Sequence, residues 1–291
     1  MIMPVPGSDN GISASSTGMQ RTYSLLQQVA QQVLPYEITR RIRIWKRNCL
    51  IAQFRADNLK RAYRDIRNTV DHDRIARLWR DVRPAFESGR AKEAKWADMP
   101  VWLPLSIYRA AALDLHRTPP IRILDLGCGP AYFIRVATHF GHDCQGVDLP
   151  AHLQTPVEQR VFAELVQALG CRPFVSDLVI RKFEPMPLIG QYDLITGFWV
   201  CFNRHRQSDE WRALEWRYFA ADVAHLLRPR GRVYMELNAN KQLFGNLLWY
   251  DAETLHFFRS VGTVDRNRVT LCRDALEALQ PAHERGHAAQ L

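Results

Sequence analysis

The chain has 291 residues, 47% of them hydrophobic and 24% charged, which suits a buried core and excludes a disordered or fibrous protein. With 15 Gly and 16 Pro it is neither collagen-like nor dominated by linkers, and it holds no run of 18 apolar residues that would cross a membrane. The formal net charge of +9 is local in origin, because 17 Lys or Arg face only 7 Asp or Glu between Ile38 and Lys95.

Residues 1–20 are polar, lack the basic-then-apolar order of a signal peptide and read as a flexible leader. From Thr22 to about Arg67 the chain reads as helix, divided by Pro35. Ile42, Ile44, Trp45, Cys49, Ile51, Phe54, Leu59, Tyr63 and Ile66 form a loose apolar stripe with bases opposite, and Trp45, Tyr63 and Trp79 are expected in the core. A second helical piece spans about Asp73 to Phe86. Met99-Pro100 and Leu103-Pro104 punctuate the chain before a short helix from Leu105 to Leu115. Thr118-Pro119-Pro120 is a stop, so residues 21–118 are expected to form a helical N-terminal cap.

Beyond that stop, strands alternate with helices. Ile121 to Leu126, Cys144 to Val147, Tyr192 to Val200 and Val233 to Leu237 read as strands. Tyr132 to Phe140, Val157 to Leu169 and the stretch from Trp211 to Leu227 read as the helices between them. This alternation predicts an α/β fold over residues 119–275, with a doubly wound, mainly parallel sheet covered on both faces. Residues 276–291 are expected to be a flexible tail. Six cysteines (Cys49, Cys128, Cys144, Cys171, Cys201 and Cys272) include no pair at CxxC spacing. That pattern suits a reduced, cytoplasmic protein without a Cys-based metal site.

The sharpest signal is Asp125-Leu-Gly127-Cys128-Gly129 at the end of the first strand and ahead of a helix. Glycines there let the backbone turn tightly and let a ligand reach main-chain N–H groups. Nineteen residues past Gly129, at the tip of the next strand, stands Asp148, a carboxylate placed to accept both hydroxyls of a ribose. A dinucleotide fingerprint would need glycine at position 132, which is Tyr132, and a pyrophosphate would be poorly served by the acid at Asp125. The residues therefore describe a site for a nucleoside that carries a cationic group.

The combination Asp125-x-Gly127-x-Gly129 plus Asp148 resembles the Rossmann-like class I S-adenosylmethionine-dependent methyltransferases, over roughly Ile121 to Leu237. The resemblance implies S-adenosyl-L-methionine as cofactor, its methionine part cradled by Asp125, Gly127, Cys128 and Gly129 and its ribose held at Asp148 and Leu149. It assigns Asp177 and Leu178 to the adenine and Phe198, on the strand that opens at Tyr192-Asp193, to the cofactor crevice. Leu227 to Val233 looks like the turn before the fifth strand. The acceptor is expected beyond the fourth strand, with Asn203 positioning it and His205 as general base, and with Glu236 and Asn238 as further substrate contacts. Trp96, Trp102 and Tyr108 of the cap are expected to line the crevice. The function implied is methylation, at O or N, of a small molecule or a sugar or glycan. Two other readings are an RNA methyltransferase using the basic helices and a catalytically silent nucleoside-binding interaction protein.

Overall fold

The computed structural model describes residues 36–52, 57–171, 176–188, 190–200, 211–238 and 250–279. The expected leader and most of the expected tail lie outside them, as do Asn203 and His205. The described chain opens with α1 (Tyr36–Ala52), α2 (Asp57–Thr69) and α3 (His72–Glu87). Asp71 caps α3, its side chain accepting the Arg74 amide at 2.9 Å. A 3₁₀ turn (Lys92–Ala97) leads into α4 (Met99–Ala112).

Two expectations for the cap need correcting. The helix expected from Leu105 begins at Met99 and runs through Pro104. Pro100 lies in the first turn, where a missing N–H costs nothing, and burial on every side overrides the break that Pro104 suggests. Trp45 is not a core residue either: it is 61% exposed, on the outer side of α1 with Ile38 and Ile42.

After the cap come β1 (Arg122–Leu126), α5 (Tyr132–His139), β2 (Asp143–Asp148), α6 (Pro156–Ala168), β3 (Ser176–Asp177) and β4 (Tyr192–Phe198). They are followed by α7 (Ala213–Ala224), β5 (Leu227–Glu236), α8 (Ala252–Val261), β6 (Gly262–Asp265), β7 (Arg268–Cys272) and α9 (Arg273–Glu277). The sheet order is β3-β2-β1-β4-β5-β7-β6. The first five strands are parallel, and β7 runs antiparallel to both β5 and β6. The turn expected before the fifth strand is present inside β5. Tyr192 pairs with Leu227 and Leu194 with Arg232, so residues 228–231 loop out, with Arg230 at φ 65°.

Alternation along the strands divides the core in two. Ile123 and Leu194 pack with the cap helices, α5 and α6, whereas Leu124, Leu126, Ile195, Val233 and Met235 pack with α7, α8 and α9. The cap and one face of the sheet therefore share a single apolar cluster, which sets the 3₁₀ turn and α4 beside the carboxyl ends of the strands. The result is a Rossmann-like α/β fold.

Candidate functional site

From β1 the sheet grows through β2 to β3 on one side and from β4 on the other, so the order reverses between β1 and β4. Open parallel sheets leave a ligand crevice at such a switch point, outside the carboxyl ends of the strands. Here the crevice has a volume of about 840 Å³, within the range of sites that enclose a small ligand.

Its floor is the glycine turn. Gly127 and Gly129 hold φ at 63° and 52°, in the left-handed region that glycine adopts without strain. A Cβ on Gly127 would come within 2.9 Å of Val200 Cγ2. Cys128 is buried, its amide donates to the Val147 carbonyl at 3.1 Å, and its Sγ fills the space that a side chain on Gly146 would need. Burial pushes the Cys128 thiol well up, so it is a packing residue and not a nucleophile.

Two carboxylates face this floor. Asp148 accepts the Gly129 amide at 2.6 Å and the Leu149 amide at 2.7 Å. Burial raises its pKa to about 6, against the lowering effect of those two amides. Asp125 is 2% exposed and accepts the Thr196 hydroxyl at 2.7 Å. Burial raises Asp125 to about 7, with Thr196 and Arg109 pulling the other way. Each carboxylate keeps lone pairs for a ligand, because a carboxylate accepts about four hydrogen bonds.

The remaining expected residues divide. Leu149, Leu178 and Phe198 line the crevice. Asp177 is placed through its backbone alone, paired with Asp148 across β2 and β3. Glu236 and Asn238 are not part of the lining. Glu236 is buried in an ion pair with Arg109. The Asn238 side-chain amide donates to the carbonyls of Trp199 and Val200, at 2.9 and 3.2 Å. It thereby holds Trp199, whose φ of 58° is unusual for a bulky residue, with its backbone turned at the end of β4. Trp96 and Trp102 line the crevice as expected, their rings 4.0 Å apart. Tyr108 points elsewhere and bonds Arg268.

Sequence reasoning missed Arg109, Thr196 and Trp199. Arg109 is the only charged residue of α4 and Thr196 a polar residue within an apolar strand. A polar group inside an apolar run has to find a partner, and that is the signal both carry. The glycine turn tolerates a ligand at its backbone, and acids beside it favour one bearing a cation. The residues present therefore fit S-adenosylmethionine better than a pyrophosphate.

No family model and no curated protein matches the sequence. Solved structures do match. The S-adenosylmethionine-bound amino pentose methyltransferase of calicheamicin biosynthesis from Micromonospora echinaspora is similar at 22% identity, over 49% of this chain and 53% of that one, with a TM-score of 0.34. An S-adenosylmethionine-dependent methyltransferase from Clostridium acetobutylicum is similar at 16% identity, over 47% of this chain and 50% of that one, with a TM-score of 0.33. TehB from Haemophilus influenzae is similar at 12% identity, over 57% of this chain and 58% of that one, with a TM-score of 0.37. The matches span about half the length of the first two proteins. By its own strand order and glycine turn, this chain is a Rossmann-like α/β protein with a crevice at the switch point of its sheet.

Proposed function

We propose that the chain is an S-adenosylmethionine-dependent methyltransferase acting at O or N of a small molecule, sugar or glycan. The observation that carries this reading is the joining of the glycine turn to Asp148, with the Asp125 carboxylate beside them in one crevice. Asp148 can accept the ribose hydroxyls while its hydrogen bond to Gly129 keeps the turn in place. Asp125 and Asp148 together give that end of the crevice a negative field, suited to the cationic ammonium and sulfonium of the cofactor. When bound, S-adenosylmethionine supplies a methyl group on a positively charged sulfur, and the positive charge is lost on transfer.

The chain's own residues then have to hold an acceptor in line and move a proton. Trp96 and Trp102 of the cap and Trp199 at the end of β4 line the crevice and can hold an acceptor against it. In this reading Asn203 positions the acceptor and His205, five residues past Val200, takes the proton from its hydroxyl or amine. An aromatic-lined crevice of about 840 Å³ supports a small acceptor over a polynucleotide. Part of the basic belt is also internal: Arg40 donates to Asp98 at 2.7 and 3.0 Å, and the Arg47 guanidinium stacks 4.8 Å over Trp102. The free thiols of Cys49, Cys128, Cys144, Cys171 and Cys272 agree with a reducing cytoplasm. We take the helical cap, residues 21–118, and the domain of 119–275 as one catalytic unit.

The test is transfer of a labelled methyl group from S-adenosylmethionine into fractions of a cell extract. Label in the small-molecule or glycan fraction is the expected result. Label confined to RNA would replace the acceptor assignment, and no label in any fraction would contradict the methyltransferase reading.

A further inference from the structure

We propose that the methyl acceptor carries a carboxylate and that Arg109 receives it. The inference rests on the function proposed above and concerns the same crevice. Arg109 is 6% exposed and belongs to the crevice lining. A guanidinium is retained in so apolar a helix only if its donors are used. Glu236 uses one edge of it, with Oε2 accepting from Nε at 2.9 Å and from Nη2 at 2.8 Å. The rings of Phe198 and Trp199 lie 4.2 and 4.3 Å from the guanidinium carbon and fix its plane. Nη1 meets no acceptor among the described residues, so its two N–H groups are the donors left for a ligand.

Glu236 does not neutralise this end of the crevice by itself. Arg268 lies 4.0 Å from its other oxygen, and Arg47 sits behind Trp102. Burial above all, with Arg109 and Arg43 adding to it, lowers the Arg47 guanidinium to about 9. A fixed guanidinium edge left open toward the crevice matches a carboxylate in geometry as well as charge. The crevice thus holds acids beside the glycine turn and a cation where β4 and β5 end, near enough for Arg109 to pull Asp125 down. A carboxylate there could come from the acceptor or from the amino-acid end of the cofactor. Arg109 is anchored to β5 through Glu236 and stacks on Trp199, past the end of β4 where the acceptor is expected, so we assign it to the acceptor. The aromatic lining suits a ring-shaped acid, a uronic acid or an aromatic acid.

The test uses the full chain saturated with S-adenosylhomocysteine and titrates glucuronate against glucuronamide and benzoate against benzamide. At least one acid should bind ~10-fold or more tighter than its amide, since only the acid can accept a charge-assisted pair. The preference should vanish in the double variant Arg109→Gln with Glu236→Gln, which removes both charges and leaves no unpaired buried carboxylate. Equal binding of acids and amides to the parent protein would overturn the proposal while leaving the cofactor site intact. A second arm compares S-adenosylhomocysteine with 5′-methylthioadenosine, which lacks the amino-acid end. If the double variant loses ~10-fold in affinity for the first and none for the second, the carboxylate is the cofactor's, and the acceptor assignment is wrong. If the parent protein binds neither nucleoside, the methyltransferase reading fails and this inference with it.

Discussion

The amide of Gly129 donates to Asp148 Oδ2 at 2.6 Å, tying the glycine turn after β1 to the end of β2. One carboxylate thus shapes the turn and faces the crevice. Asp148→Ala should weaken binding of S-adenosylhomocysteine by about 1–3 kcal/mol, the order for losing charge-assisted hydrogen bonds. A dissociation constant equal to that of the parent protein would remove Asp148 from the site.

Cofactor binding should depend on pH. Burial raises Asp148 to about 6 and Asp125 to about 7 in the free protein, whereas both would titrate near 4 in an unfolded chain. The folded state therefore binds more protons than the unfolded state across pH 4 to 7. Stability of the free protein should fall as pH rises through that window, by up to about 1.4 kcal/mol per pH unit for each group. A cationic ligand favours the ionised carboxylates, so cofactor affinity should rise from pH 5 to pH 8. Titrations and thermal melts at several pH values check both slopes, and an affinity that falls with pH would contradict the acidic role given to this end of the crevice.

Gly146 is a packing requirement. A Cβ there would lie 2.5 Å from Ile134 Cδ1 and 2.6 Å from Cys128 Sγ, inside contact distance for any pair of atoms. Gly146→Ala should cost about 1–3 kcal/mol, the range for overpacking a filled interior. Adding Cys128→Ala should restore part of the loss, because the smaller side chain vacates the space. Chemical denaturation of the single and double variants measures the coupling.

His205→Ala should lower turnover by about 10²–10⁴ with cofactor affinity unchanged, as expected for loss of a general base. Equal losses of rate and affinity would mean that the residue supports the loop and not the proton transfer.

The sheet was legible because its strands obey simple rules. Ile123, Leu124 and Leu126 form an apolar strand interrupted by Asp125 and closed by glycines, and Gly141 and Gly170 stop α5 and α6 where left-handed φ values of 91° and 64° are needed. The hairpin of β6 and β7 escaped notice because its strands are short and half-exposed, as in Thr263, Asp265 and Thr270, and turn through Arg266 at φ 57°, a residue without turn chemistry. The glycine turn and the acid beside it were legible because they depend on neighbours in sequence: the turn needs glycine, and the acid follows at the next strand tip. The Arg109–Glu236 pair was not, because the two residues are 127 apart and meet only through packing of α4 against the sheet. Glu236 was expected to touch substrate, and its charge is spent instead on holding Arg109.

Calorimetry of the full chain with S-adenosylmethionine, S-adenosylhomocysteine and NAD tests the central claim most directly. The acid at Asp125 and the tyrosine at position 132 predict saturable binding of the first two and none of NAD. Binding of NAD without binding of S-adenosylmethionine would contradict the account.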